Sequence, residues 1–322
     1  MYQEHHNLKS CHPDKHPLDY YSWAADHPEA IVHYVHGMSE SALRYQPMGE
    51  WFQSQGITFI AHDQVGHGPY AQTHDSLGYF GPYNMKLILV EDLYRVICDV
   101  KAVNPNVPYF LIGHSMGSFI SRLFLQKYSY MVSGAILSGS ADHSCVIDLG
   151  KLLSPVLTKL NRPQATNFFL HRFLFGGLFT QFKRQPNERD LRILKYWYPH
   201  QEKVDYPLDG FPFTNDGFWH LIRLVDTATK KGWAKTIDPH LPLYFMNGAN
   251  DFLLGPQKKL SGAYQELKQA HFQDVIFQIY EKRGHELFLY DNEEVVYRDI
   301  LTWISQHSQP KQANSSNYSL RK

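Results

Sequence analysis

Residues 108–127 read Pro108-Tyr-Phe-Leu-Ile-Gly113-His-Ser115-Met-Gly117-Ser-Phe-Ile-Ser-Arg-Leu-Phe-Leu-Gln-Lys127. A short apolar run with β-branched Ile112 leads into a turn flanked by Gly113 and Gly117. An amphipathic period follows through Phe119, Ile120, Leu123, Phe124 and Tyr128. The pattern predicts a buried strand, a tight turn and a helix, with Ser115 at the tip of a Gly-x-Ser-x-Gly elbow. Two glycines without Cβ atoms let strand and helix pack closely around the turn. The serine hydroxyl then stands above the sheet, close to a helix N-terminus that favours negative charge. The competing reading of such a turn, a serine that only caps a helix, has to be weighed against the rest of the chain.

Working outward, apolar runs and helical periods alternate. Strands are expected over 19–25, 30–35, 57–61, 133–138, 241–246 and 275–279. Helices are expected over 44–54, 84–103, 257–270 and 293–306. This rhythm argues for a doubly wound, mostly parallel sheet with helices on both faces. It breaks between about 145 and 235, where several helical segments occur without a convincing strand. The organisation expected is a first core part over 1–144, a helical cap over 145–235, a second core part over 236–307 and a disordered tail over 308–322. The first eighteen residues are polar and read as peripheral.

Composition excludes several function classes. The chain has 322 residues, 31 basic and 31 acidic, so no basic excess recommends a nucleic-acid partner. Cys11, Cys98 and Cys145 are too few and scattered for a disulfide framework or a zinc site, which favours a reducing compartment. No signal peptide and no bilayer-spanning stretch is evident, so a cytoplasmic protein in at most peripheral contact with membranes is expected. Nineteen histidines invite a metal hypothesis, yet His33 with His36, or His62 with His67, lack the spacing of an established site. No metal and no cofactor is expected.

In an open parallel sheet, loops after the carboxyl ends of strands share one edge. Ser115, Asp251 and His285 each follow a different predicted strand, in the order Ser, Asp, His. Imidazole has to take the serine proton during attack, and a carboxylate holds the imidazole tautomer and stabilises the imidazolium. Asp142 also follows a strand and is an alternative acid; Asp251 is preferred because Gly248-Ala-Asn-Asp251 forms a tight loop straight after one. The backbone N–H groups of Met38, in the His-Gly loop after 30–35, and of Met116 are the candidate oxyanion donors. Phe168, Phe173 and Phe179, in an apolar stretch of the cap, are candidate substrate-binding residues; a buried helical hairpin explains that stretch equally well.

Val35-His-Gly-Met-Ser-Glu40, Ala61-His-Asp-Gln-Val-Gly-His-Gly68, Leu111-Ile-Gly-His-Ser-Met-Gly117, Asn247-Gly-Ala-Asn-Asp251 and Gly284-His-Glu286 together resemble the α/β-hydrolase superfamily. Within it, the chain resembles the monoacylglycerol lipase and lysophospholipase group, sometimes labelled serine aminopeptidase-like. The resemblance spans about residues 18–306. It implies an α/β-hydrolase fold with an eight-stranded, mostly parallel sheet, and a helical cap inserted after the sixth strand. It also implies cofactor-free cleavage of single-chain lipid esters through an acyl-enzyme on Ser115, with transient contact to lipid aggregates. Asp251 would be the acid, His285 the base, and Met38 and Met116 the oxyanion donors. Val65 and Pro69 stand where the family often has Arg and a small residue such as Ser. The alternatives are a short-chain or aryl esterase, a thioesterase, an aminopeptidase whose cap carboxylates (Glu188, Asp190, Asp205, Asp209) hold a substrate amine, and a non-catalytic binding protein.

Overall fold

The computed structural model describes residues 3–144, 147–148, 150–152, 162–168, 170, 208–254, 260–288, 293–308 and 317–321. One sheet organises them. Its strands are β1 (Glu4–Lys9), β2 (Pro17–Trp23), β3 (Ala30–Val35), β4 (Ile57–His62), β5 (Tyr109–His114), β6 (Gly134–Ser138), β7 (Leu243–Gly248), β8 (Asp274–Tyr280) and β9 (Asn317–Arg321). Their spatial order is β1-β2-β4-β3-β5-β6-β7-β8-β9. Only β1 with β2 and β2 with β4 run antiparallel; every other neighbouring pair is parallel. Strands β3 to β7 are buried at every described position, as a sheet covered on both faces requires.

Among the described residues the helices are α1 (Gln46–Ser54), α2 (Gly68–Thr73), α3 (Met85–Val103), α4 (Met116–Tyr128), α5 (Asn215–Thr229), α6 (Ser261–Gln269) and α7 (Glu294–His307). Helices α3, α4, α5 and α6 bury Leu93, Ile97, Phe124, Phe218 and Leu267 with Leu111 and Phe245 on one face. On the other face α1 and α7 bury Phe52, Ile300 and Trp303 against Phe59, Phe110 and Tyr244. Among the described residues the two cores form separate clusters on opposite faces of the sheet.

Three expectations change. The polar N-terminus contributes β1, because pairing with β2 satisfies its backbone while its side chains stay largely exposed. The tail expected to be disordered contributes β9, a ninth strand that covers the edge β8 would otherwise leave open. Residues 215–229, assigned by sequence to the cap, pack as α5 on α3 and α4. Gly217 permits this, since a Cβ there would stand 2.1 Å from the carbonyl oxygen of Gly78. Thr214 fixes the helix start, its hydroxyl accepting the Gly217 N–H and donating to Gly78. Residues 171–207, with Phe173 and Phe179, lie outside the described residues.

Candidate active site

The elbow forms because strand β5 and helix α4 meet with almost no space between them. A Cβ on Gly117 would sit 1.9 Å from the Val35 carbonyl oxygen, and one on Gly113 would meet Ser121 Oγ at 2.4 Å. Ser115 absorbs the turn with φ 50° and ψ −117°, a conformation that costs a residue with a side chain roughly 1–3 kcal/mol. Its surroundings hold it there. Ser115 N–H donates to Ser138 at 2.9 Å, and its carbonyl accepts the Ser118 N–H at 2.9 Å and the Ser118 hydroxyl at 2.7 Å.

Strands β5, β7 and β8 are parallel, so their carboxyl ends bring three loops to one edge. Ser115 Oγ–H donates to His285 Nε2 at 2.8 Å, and His285 Nδ1–H points at both oxygens of Asp251, each 3.1 Å away. Asp251 is fixed in turn by the Asn247 side-chain amide at 2.9 Å and by the Leu253 N–H at 2.9 Å. All three side chains are buried. Burial works against the imidazolium of His285. The Asp251 charge and hydrogen bond, with Glu286 and Glu40 nearby, outweigh it and raise the pKa above its ordinary value. Such an arrangement can remove a proton from the serine hydroxyl as it attacks a carbonyl.

The sequence left Asp142 as a rival acid. Its carboxylate accepts the N–H groups of Gly262 and Ala263 at 2.6 and 2.7 Å, so it caps the start of α6. The carboxylate that hydrogen-bonds His285 is that of Asp251.

Loop 36–41, after β3, runs beside Ser115; a Cβ on Gly37 would be 3.1 Å from the serine Cβ. Gly37 N–H donates to Glu40 at 2.7 Å and Ser39 N–H to His67 Nε2 at 3.2 Å. Between them, Met38 N–H has no acceptor among the described residues. Met116 N–H, the first of α4, has none either.

The histidines of loop 62–68 and its neighbours brace this edge. His36 Nδ1–H donates to Gly37 O, and its Nε2 accepts the Gln64 N–H. His67 Nδ1–H donates to Val65 O while Nε2 takes the Ser39 N–H. Such pairing fixes each as a neutral tautomer, in keeping with burial pushing His67 down to about 4 and His36 well below its ordinary value. Pro69 takes one of the first two positions of α2, where its missing N–H costs nothing. Sequence reasoning missed a buried charged cluster behind the site, formed by Glu40, Arg44, His114, Asp209 and Glu286. Its signal was present: four of the five lie inside or beside the quoted motifs. His114, His285 and Glu286 are close enough to share a cation, but both ring nitrogens of His285 are already engaged by Ser115 and Asp251.

Against known proteins, residues 26–293 match the family model described as serine aminopeptidase, S33. The chain belongs to that family. It is 30% identical to mouse monoglyceride lipase over 283 residues, covering 86% of this chain and 83% of the relative. It is 27% identical to the monkeypox virus monoglyceride lipase homolog over 281 residues, covering 86% and 90%. Among solved structures, a thermostable carboxyl esterase from Bacillus coagulans superposes with a TM-score of 0.82 at 22% identity, over 96% of this chain and 100% of that one. That likeness concerns the fold, which is the α/β-hydrolase fold, with β1 to β8 as its eight strands. Among the described residues no helix is long and apolar enough to cross a membrane.

Proposed function

We propose that the chain is a serine hydrolase that cleaves carboxylic esters of single-chain lipids, monoacylglycerols or lysophospholipids, through an acyl-enzyme on Ser115. The observation that carries this reading is the continuous path Ser115–His285–Asp251 at the tip of the strained elbow. Similarity over 86–87% of this chain to proteins named monoglyceride lipase supports the lipid ester, and a shorter match to a probable lysophospholipase supports the second substrate.

In this mechanism His285 Nε2 takes the hydroxyl proton while Ser115 Oγ attacks the ester carbonyl. Asp251 stabilises the resulting imidazolium through Nδ1–H. The N–H groups of Met38 and Met116 meet the tetrahedral oxyanion, each worth roughly 3–4 kcal/mol if removed. Collapse expels the alcohol, glycerol or glycerophosphate ester, which takes the proton from His285 Nε2. Water, deprotonated by the same nitrogen, then releases the fatty acid and restores the serine. Phe168, half-exposed, is assigned to the acyl-chain entrance, and the enzyme is assigned to the cytoplasm with transient contact to lipid aggregates.

The family description also names aminopeptidases. Of the carboxylates considered for a substrate amine, Glu188, Asp190 and Asp205 lie outside the described residues. Asp209 is buried against Arg44, which makes it a poor amine site. Purified protein should hydrolyse monooleoylglycerol or lysophosphatidylcholine and label at Ser115 with a fluorophosphonate. Turnover of alanine p-nitroanilide without ester turnover would replace the reading by the peptidase one, and no labelling would remove both.

A further inference from the structure

Arg44 is almost fully buried, and three carboxylates from separate segments converge on it. Its Nη1 lies 3.7 Å from Glu40, its Nε 3.4 Å from Asp209 and its Nη2 3.5 Å from Glu286. His114, the residue before Ser115, joins the same cluster, 3.5 Å from Glu40 and 3.3 Å from Glu286.

Each carboxylate has a second attachment, and each attachment lies on a different part of the site. Glu40 Oε2 accepts the Gly37 N–H and the Tyr45 hydroxyl, both at 2.7 Å, so it clips the loop that carries Met38. Glu286 follows His285 directly in the chain. Asp209 accepts the Ser41 hydroxyl at 3.2 Å and begins the segment that returns from the cap. That segment is sewn to the same loop: Gly210 N–H donates to Ser39 O at 2.8 Å, and Ser39 Oγ donates to Phe211 O at 2.6 Å.

A role in stability alone accounts poorly for this cluster. Desolvating three carboxylates around one guanidinium generally stabilises a fold less than apolar side chains of the same volume would. The site needs something else, which is a fixed relation between three loops that share no strand. A guanidinium suits that task, because its planar fork of five donors can address several carboxylates at once, and an ammonium cannot.

The geometry points to Arg44 as a positioning residue for hydrolysis: through Glu40, Glu286 and Asp209 it holds the Met38 N–H, the His285 imidazole and the base of the cap in one arrangement. This rests on the hydrolase reading above. It also makes cap and oxyanion loop one mechanical unit, so displacement of the cap base by a lipid would reach Met38 through Asp209, Ser39 and Ser41.

The test uses the full chain, p-nitrophenyl butyrate as a short ester that barely reaches the cap, and melting temperatures measured in parallel. Arg44→Lys keeps the charge and loses the fork; Asp209→Asn keeps the shape and replaces the carboxyl that faces Arg44 Nε at the cap base with an amide. The expected result is a kcat loss of about tenfold or more for Arg44→Lys and roughly threefold or more for Asp209→Asn, with KM within about a factor of two. Both proteins should remain folded at the assay temperature. Because truncation of Arg44 would strand three buried carboxylates, Asp209→Asn also guards against an Arg44 variant that fails to fold. Unchanged kcat in Asp209→Asn, or kcat losses matched by lost folded protein in both variants, overturns the inference. A wild-type chain that neither turns over the ester nor labels at Ser115 overturns the hydrolase reading, and this inference with it.

Discussion

Ser115 Oγ and His285 Nε2 stand 2.8 Å apart, although 170 residues of chain separate them. Nothing local brings them together. Strands β6 and β7 lie between the strands that carry them, and parallel pairing turns all the carboxyl ends to the same edge. The contact is therefore a property of the sheet.

Ser115→Ala should lower ester turnover by roughly 10⁴–10⁶-fold and leave the fold intact. Ser115→Gly should be equally inactive but more stable than the alanine variant by about 1 kcal/mol, because glycine tolerates the φ of 50°. Turnover near wild type in either variant would remove Ser115 from the chemistry. Thermal melts of the pair read the strain directly.

For the acid, Asp251→Asn is expected to cost about 10⁴-fold in kcat, since the amide cannot stabilise the imidazolium. Asp142→Asn should leave kcat nearly unchanged and cost about 1 kcal/mol of stability through the weakened start of α6. The reverse ranking would transfer the acid role to Asp142.

The pH profile tests the environment of His285. It acts as a base only when neutral, so kcat/KM rises with pH as the ring loses its proton, and its raised pKa moves that limb upward from the ordinary histidine value. Glu286→Gln removes a charge that favours the imidazolium, and the limb should move to lower pH whatever the height of the plateau. A limb that stays in place, or moves upward, contradicts the assigned contribution.

His67 makes a prediction about stability. Burial holds its pKa at about 4, while the unfolded chain takes up a proton near 6.5. Its contribution is complete above about pH 6.5 and is lost as pH falls toward 4, up to about 3 kcal/mol in all. The melting-temperature gap between wild type and His67→Gln should therefore narrow from pH 7 to pH 4.5. A gap independent of pH would mean that His67 is not held neutral.

Phe168, 56% exposed and proposed to meet the acyl chain, bears on chain-length preference. Each acyl CH₂ buried against such a surface is worth about 0.8 kcal/mol. Phe168→Ser should lower kcat/KM for long-chain monoacylglycerols several-fold and spare butyryl esters. Equal losses on both lengths would assign the residue to packing alone.

How much of this was legible in sequence depended on where each signal resides. The elbow was legible because its requirement is local: Gly117 and Gly113 flank Ser115 where an added Cβ would fall 1.9 Å from the Val35 carbonyl oxygen and 2.4 Å from Ser121 Oγ. Buried strands announced themselves as apolar runs. The polar strands β1 and β9 did not, since each joins the sheet by backbone pairing with a neighbouring edge, and the side chains of β1 stay largely exposed. Helix α5 was assigned to the cap because residues 145–235 show helical segments without a convincing strand, a pattern that does not say what each helix packs against.

The sequence by itself determined the alternating α/β architecture, the elbow at Ser115 and the order Ser, Asp, His of the loops that follow the strands. All of these are encoded in residue type and short spacing. Only the tertiary structure decided that Asp251 meets His285 while Asp142 caps α6, because both follow strands and differ only in where their loops turn. It alone also gathered Glu40, Arg44, His114, Asp209 and Glu286 into one buried cluster. Charged residues read as solvated faces in a linear chain, and their burial becomes possible only where the fold brings opposite charges within about 4 Å of one another.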